Sequence, residues 1–240
     1  MMKKNLLLIL MCFVCGLVYA HDGLNFRNLD VKSGISDNYV RSVLRDRYGF
    51  MWFATLNGLN RYDGYQFKKY TTTQLGAYNN DIESIAEDAA GNIWIKGPVS
   101  YYIYDREQDK LENKIQPILN KYGITGEVSY LTVDKDYNLW CTVMDTLFHY
   151  DFTKNKLHTF QLPGKEKMQQ VVCRRSCAYL LFSNGEIARI DSNFQQIRPE
   201  TRRTLSSGLQ YNLYIDTVDR LWFYASHASG LQCYDTNQKQ

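Results

Sequence analysis

The chain has 240 residues, with 28 Lys and Arg against 25 Asp and Glu, 14% aromatic residues including 19 Tyr, and only 4 Pro. That length suffices for one well-buried domain or two small ones, and the composition excludes collagen, coiled coil and low-complexity disorder. The net charge of +3 has no block of like charge behind it, and Lys3 and Lys4 lie in the amino-terminal segment, so nothing resembles an electrostatic footprint for nucleic acid.

The amino terminus reads as an export address. Met1-Met2-Lys3-Lys4 is basic, Leu6 to Val18 is an apolar run, and Val18-Tyr19-Ala20 is a small-residue cleavage pattern. Thirteen residues of helix cover roughly 20 Å, short of the ~30 Å hydrocarbon core. A cleaved signal peptide over Met1 to Ala20 is therefore expected, with an exported, periplasmic remainder. Cys12 and Cys15 lack the preceding small residue that lipidation requires, and nothing after Ala20 resembles a second spanning segment.

Leu24 to Asp30 reads as a single strand. Beyond it the chain repeats. Asp46 and Trp52, Asp88 and Trp94, Asp134 and Trp140, and Asp216 and Trp222 share one offset, and each pair is followed by a Tyr-Asp step: Tyr62-Asp63, Tyr104-Asp105, Tyr150-Asp151 and Tyr234-Asp235. The interval between Trp140 and Trp222 is twice the others, which places a degenerate unit there with Ile190-Asp191 at the Tyr-Asp position and Leu180 where Trp would stand.

Each unit resolves into four short strands. In the first these are Val40 to Arg45, Phe50 to Thr55, Leu59 to Tyr62 and Tyr65 to Tyr70, separated by turns at Asp46 to Gly49, Asn57-Gly58 and Asp63-Gly64. Gly49 and Gly91 become Tyr137 and Asp219 in later units. Asp tolerates the left-handed conformation and Tyr resists it, so the third turn is expected to move onto Asn138. Four antiparallel strands every ~40 to 46 residues describe a propeller blade. The expected fold is all-β, a β-propeller of about five four-stranded blades over residues 21–240, in units near 31–72, 73–115, 116–160, 161–200 and 201–240.

Catalytic and metal constellations are absent from the sequence. No Gly-x-Ser-x-Gly, phosphate-binding Gly loop, His-Glu-x-x-His or Cys-x-x-Cys pair occurs, and His21, His149, His158 and His227 follow no ligand spacing. Cys141, Cys173, Cys177 and Cys233 read as structural or incidental, Asp105, Glu107 and Asp109 as a solvated hairpin rim, and the repeated Asp residues as turn formers rather than calcium ligands. No catalytic residue, metal or cofactor is assigned.

Gly34-Ile35-Ser36-Asp37-Asn38-Tyr39-Val40, then Asp46 through Thr55, then Asn57-Gly58-Leu59-Asn60-Arg61-Tyr62-Asp63-Gly64 closely resemble the first blade of the two-component regulator propeller family. The likeness covers residues 24 to 235, strongest in the first unit and faint in the fourth. It implies the periplasmic sensor region of a hybrid two-component system, with an oligosaccharide ligand and, as further partners, remaining propeller, transmembrane and histidine kinase regions not in this chain. It implies no enzyme activity in this segment. Family propellers have seven blades, so the chain is expected to be an amino-terminal fragment, an open arc in which the Leu24 to Asp30 strand would complete the last blade. Such an arc exposes blade faces and sheet edges, and poor solubility or self-association, a homodimer included, follows.

The turns that carry repeated Asp are structural. The loops joining second to third strands, and successive blades, vary freely and share one face of the disc, where binding specificity is expected. Asn57, Lys96, Asp145 and His227 are the candidate ligand contacts there, and of the aromatics outside the repeat Tyr78, Tyr101, Tyr102 and Tyr122 are open to recognition. The alternatives to a sensor are a secreted propeller lyase or hydrolase acting on polysaccharide, and a stand-alone binding scaffold.

Overall fold

The computed structural model describes residues 26–163, 166–174, 177–191, 197–199, 211–225 and 230–236. The expected signal peptide and His227 lie outside them. Blade 1 comprises β1 (Val40–Arg45), β2 (Met51–Thr55), β3 (Gly58–Tyr62) and β4 (Phe67–Tyr70); blade 2 comprises β5 (Ser84–Glu87), β6 (Ile93–Lys96), β7 (Tyr101–Asp105) and β8 (Lys110–Glu112). Blade 3 is β9 (Val128–Val133), β10 (Leu139–Val143), β11 (Thr146–Asp151) and β12 (Lys156–Gln161); blade 4 is β13 (Met168–Arg174), β14 (Cys177–Phe182), β15 (Ile187–Ile190) and β16 (Ile197–Pro199). Blade 5 has three described strands, β17 (Tyr211–Ile215), β18 (Arg220–Ala225) and β19 (Gln232–Asp235), and one α-helix, α1 (Gln116–Lys121), joins blades 2 and 3. Each sheet is an antiparallel meander, and β1, β5, β9, β13 and β17 pack in series as the inner strands of an unclosed propeller.

The Asp-to-Trp spacing is an internal hydrogen bond. Trp52 Nε1 donates to Asp46 Oδ2 at 3.0 Å, Trp94 to Asp88 at 2.8 Å, Trp140 to Asp134 at 2.8 Å and Trp222 to Asp216 at 2.9 Å. The other carboxylate oxygen accepts backbone N–H groups across the turn, from Tyr48 and Phe50 in blade 1 and from Asp136 and Asn138 in blade 3. One side chain thus forms the first hairpin and satisfies the indole donor that burial would otherwise strand. The same brace explains why Tyr137 itself takes φ 63. The expected shift onto Asn138 does not occur, because the Asn138 N–H is already bound to Asp134.

These tryptophans fill the space between blades. Trp52, Ala54, Leu59 and Tyr70 of blade 1 meet Ile85, Ile93, Ile95 and Tyr104 of blade 2; Trp94 meets blade 3 and Trp140 meets blade 4 in the same way. Blade 4 corrects the sequence alignment. Tyr179, not Leu180, occupies the Trp position: it pairs with Arg189 and packs toward blade 5, whereas Leu180 faces back toward Trp140. The β14–β15 loop runs Ser183-Asn184-Gly185, one residue longer than the Leu56-Asn57 turn of blade 1, so counting back from Asp191 stops one residue short. In blade 1 the turn sits one residue earlier than expected, with Gly58 already paired to Thr55. A Cβ on Gly58 would approach the Tyr70 carbonyl oxygen to 2.7 Å, which reserves the position for glycine.

Ahead of blade 1 the expected strand does not form over residues 26–30. Asp30 instead caps a single 3-10 turn, Val31–Ser33, and the chain then lies against blade 1. Ile35 is buried, Ser36 N donates to the buried Asn60 at 2.8 Å, and Asn60 Nδ2 returns a bond to Ser36 Oγ at 2.7 Å. At the other end Trp222 is only half-buried, and Tyr214, Tyr224 and Cys233 are exposed on the face that blades 1 to 3 cover with their successors.

Inner-edge donors are met by the preceding blade. Leu131 N donates to Tyr101 Oη at 2.9 Å, Val171 N to Tyr130 Oη at 3.0 Å and Leu213 N to Gln170 Oε1 at 2.8 Å. Burial pushes the Tyr101 hydroxyl up to about 12 and the Cys141 thiol up to about 12, leaving both uncharged. Cys173 packs toward blade 3 and Cys177 toward blade 5, so this neighbouring pair does not face across one surface.

Candidate functional site

The β2–β3, β6–β7 and β10–β11 hairpins lie on one face with the crossings between blades, as the strand order requires. Those crossings are pinned to the hairpins. Ile82 N donates to Thr55 O at 3.0 Å, Glu83 N to Lys96 O at 2.7 Å and Leu162 N to Asp145 O at 2.8 Å. Asn57 tops the first hairpin, its N–H bound to Thr55 Oγ1. Lys96 Nζ pairs with Glu83 at 2.7 Å, and the Asp145 carbonyl also accepts Gln161 Nε2. The three residues therefore share a face but belong to three blades, and they converge on no common cleft among the described residues.

Among the described residues, the exposed apolar or aromatic hairpin-tip and crossing positions on this face include Leu56, Tyr78, Val99, Met144 and Leu231. Of the four open aromatics, Tyr78 alone is solvent-facing. Tyr101 braces β9, Tyr102 is buried, and Tyr122 packs on Tyr150 and Phe152 while its hydroxyl accepts Asn92 Nδ2 at 2.9 Å. Tyr39 and Arg41 stand where β1 begins on the same face, Arg41 paired with Asp81 at 3.2 Å.

The opposite face carries features that sequence reasoning missed. A cleft of about 590 Å³ lies between the blade 2 turns and α1, walled by Arg106, Glu107, Lys114 and Lys121 over Ile103 and Ile118. Arg106 is committed to Asp46 at 3.1 Å and Glu87 at 3.3 Å, and Arg47 crosses from the first hairpin to Glu87 at 2.8 Å. Asp109, expected to be solvated, is the hub of a tie between blades 1 and 2. Arg61 reaches it at 3.0 Å, and Lys68, Tyr70 and Tyr104 each at 2.5 Å. Burial would raise its carboxyl, but the bonds from Lys68, Tyr104 and Tyr70 and the Arg61 charge hold it well below the usual range. The signal was the row of cross-strand neighbours Trp52, Arg61 and Lys68, visible only once the register is known.

Among the described residues no group of three His, Cys, Asp or Glu side chains could hold a metal ion, and no helix is long and apolar enough to cross a membrane. The comparisons bear on this blade architecture. Residues 34–57 match the family model described as two component regulator propeller. The extracellular domain of a putative hybrid two component system from B. thetaiotaomicron is similar over 89% of the present chain and 31% of its own, at 21% identity and TM-score 0.61. A second such domain from the same organism gives 17% identity and TM-score 0.52 over 91% and 36%. Virginiamycin B lyase from Staphylococcus aureus gives 13% and 0.51 over 82% and 70%. The present chain thus spans about a third of the length of the two-component domains it resembles. No curated protein matches it in sequence. At these identities the neighbours establish the propeller fold.

Proposed function

We propose that the chain is an exported, non-enzymatic ligand-sensing module of a hybrid two-component system, which signals to a membrane histidine kinase outside this chain. The observation that carries the reading is the regulator propeller repeat at residues 34–57, whose Asp46 and Trp52 brace recurs in three further blades. The ligand is an oligosaccharide. Supporting that class, the face of variable hairpins presents a free aromatic ring at Tyr78 and polar groups at Asn57, Lys96 and Asp145, the pairing of apolar ring face with hydrogen-bonding rim that sugars match.

The test is calorimetric titration of the exported region with a panel of oligosaccharides, repeated on Tyr78→Ala and Lys96→Ala. The reading expects binding that either substitution weakens at least about tenfold, a loss of ~1.4 kcal/mol. Binding unaffected by both overturns the assigned face, and cleavage of any oligosaccharide in the panel overturns the assignment as a sensor without catalysis.

A further inference from the structure

The cleft beside α1 has walls of opposite charge that do not meet. Its hairpin wall, the β7–β8 turn, carries the carboxylates of Asp105 and Glu107, and its helix wall carries Lys114 ahead of α1 and Lys121 at the helix's last position. Between them lie Ile103 and Ile118, part of the apolar cluster that joins blades 2 and 3 around Trp94. Among the described residues none of these four charged side chains has an ion-pair partner. The neighbouring charges are matched already: Arg106 is held by Asp46 and Glu87, and Glu112 pairs with Lys110 at 2.7 Å. Two cations thus face two carboxylates across an apolar floor.

Both walls are set before any ligand arrives. Asp105 Oδ1 accepts Glu107 N at 2.9 Å and Gln108 N at 3.0 Å, which shapes the turn and leaves Oδ2 for another donor. Arg106 Nε donates to Gly91 O at 3.3 Å and ties this turn to the β5–β6 turn. On the other side α1 is anchored by the buried Leu119, by Gln116 Nε2 donating to Ile124 O at 2.8 Å, and by Tyr122 Oη accepting Asn92 Nδ2 at 2.9 Å. Little ordering of the backbone is left for binding to impose, and only the long side chains have to settle.

A lone anion in this cleft is attracted by one wall and repelled by the other, and a lone cation likewise; a zwitterion gains from both. A free amino acid holds both charges on one carbon, whereas a dipeptide carries them on carbons ~3.8 Å apart, one toward each wall. The volume of about 590 Å³ falls within the ~300–1,000 Å³ of small-ligand pockets, and the isoleucine floor suits apolar side chains. We propose that the cleft is a binding site for a zwitterionic dipeptide with apolar side chains, its carboxylate on Lys114 and Lys121 and its ammonium on Asp105 and Glu107. It lies on the face opposite the variable hairpins and is a site in addition to theirs.

Isothermal titration of the full chain with leucyl-leucine at low ionic strength tests this. The expected result is saturable binding with a dissociation constant at or below about 1 mM, weakened at least about tenfold by N-acetylation or by C-terminal amidation of the probe. Each wall has its own signature. In Lys114→Gln combined with Lys121→Gln the dipeptide should bind no better than its amide, and in Glu107→Gln the gap between the dipeptide and its acetylated form should narrow. The three substituted side chains are exposed, so these variants keep the fold. Amide chemical shifts of residues 90–92, 103–107 and 114–122 should move with occupancy. No saturable binding at millimolar dipeptide, equal affinity for the capped probes, variants that keep the full discrimination, or shifts confined to the β2–β3 and β6–β7 hairpins would each overturn the proposal.

Discussion

The carboxylate that ties each first hairpin to its tryptophan can be measured as a coupling energy, and blade 2 is the cleanest place to do it. Asp88 is fully buried; its Oδ1 accepts Asn92 N at 2.9 Å, and its Oδ2 accepts the Trp94 indole at 2.8 Å and Asn92 Nδ2 at 2.7 Å. Asp88→Ala strands a buried indole N–H and a turn N–H together. A hydrogen bond to a charged group contributes about 1.5–3 kcal/mol, and an unsatisfied buried donor costs about 1–3 kcal/mol. The single substitution should therefore cost about 3–4 kcal/mol, lowering the melting temperature by roughly 6–15 °C for a chain of this size. Trp94→Phe removes the donor and some packing, leaving the carboxylate with its turn partners. Combining the two isolates the indole bond in a double-mutant cycle read by urea unfolding, with an expected coupling of about 1.5–3 kcal/mol. A coupling below about 0.5 kcal/mol would refute the account and leave turn formation as the only reason for the repeated Asp.

Tyr137→Gly should stabilise the chain by about 1 kcal/mol, because Tyr137 is exposed at φ 63 where Gly49 and Gly91 serve in blades 1 and 2; a destabilised variant in thermal melting would contradict this. Asp109→Ala leaves Arg61, Lys68 and two hydroxyls without their shared acceptor and should lower stability by about 2 kcal/mol, while Tyr70→Phe, removing one neutral donor, should cost about 1 kcal/mol in the same urea titration. The face of β17 to β19 exposes Tyr214 and Cys233 beside Trp222, so the isolated chain should self-associate, and Tyr214→Lys with Tyr224→Lys should shift it toward monomer in sedimentation velocity. A wild-type chain that is already monomeric at tens of micromolar would remove that expectation.

Much of this fold was legible as spacing. An offset of six between Asp and Trp is the distance over which one side chain can span a tight turn and reach the second residue of the following strand, and the Tyr-Asp step marks the far end of the next hairpin in the same way. The degenerate fourth unit was located correctly but aligned one residue off at Leu180, since a loop insertion leaves the outer strand in place while moving the register inside it. The candidate face was legible only as a face. Asn57, Lys96 and Asp145 lie on three blades, as their repeat units place them, but they converge on no common cleft among the described residues, and nothing in their spacing announced the pairing of Lys96 with Glu83.

What the sequence determined by itself is the local and periodic part: the repeating four-stranded blade and the Asp-Trp brace of its first hairpin, because these depend on contacts within about twenty residues of chain. What only the tertiary structure decided lies between blades. Asp109 belongs to blade 1's cations as much as to its own hairpin, Tyr101 and Tyr130 cap the next blade's inner strand, and His149 and His158 meet blade 4 through Trp140. Those partners stand thirty to forty-eight residues apart and meet through side chains that no strand pattern orients, so only register and packing bring them together.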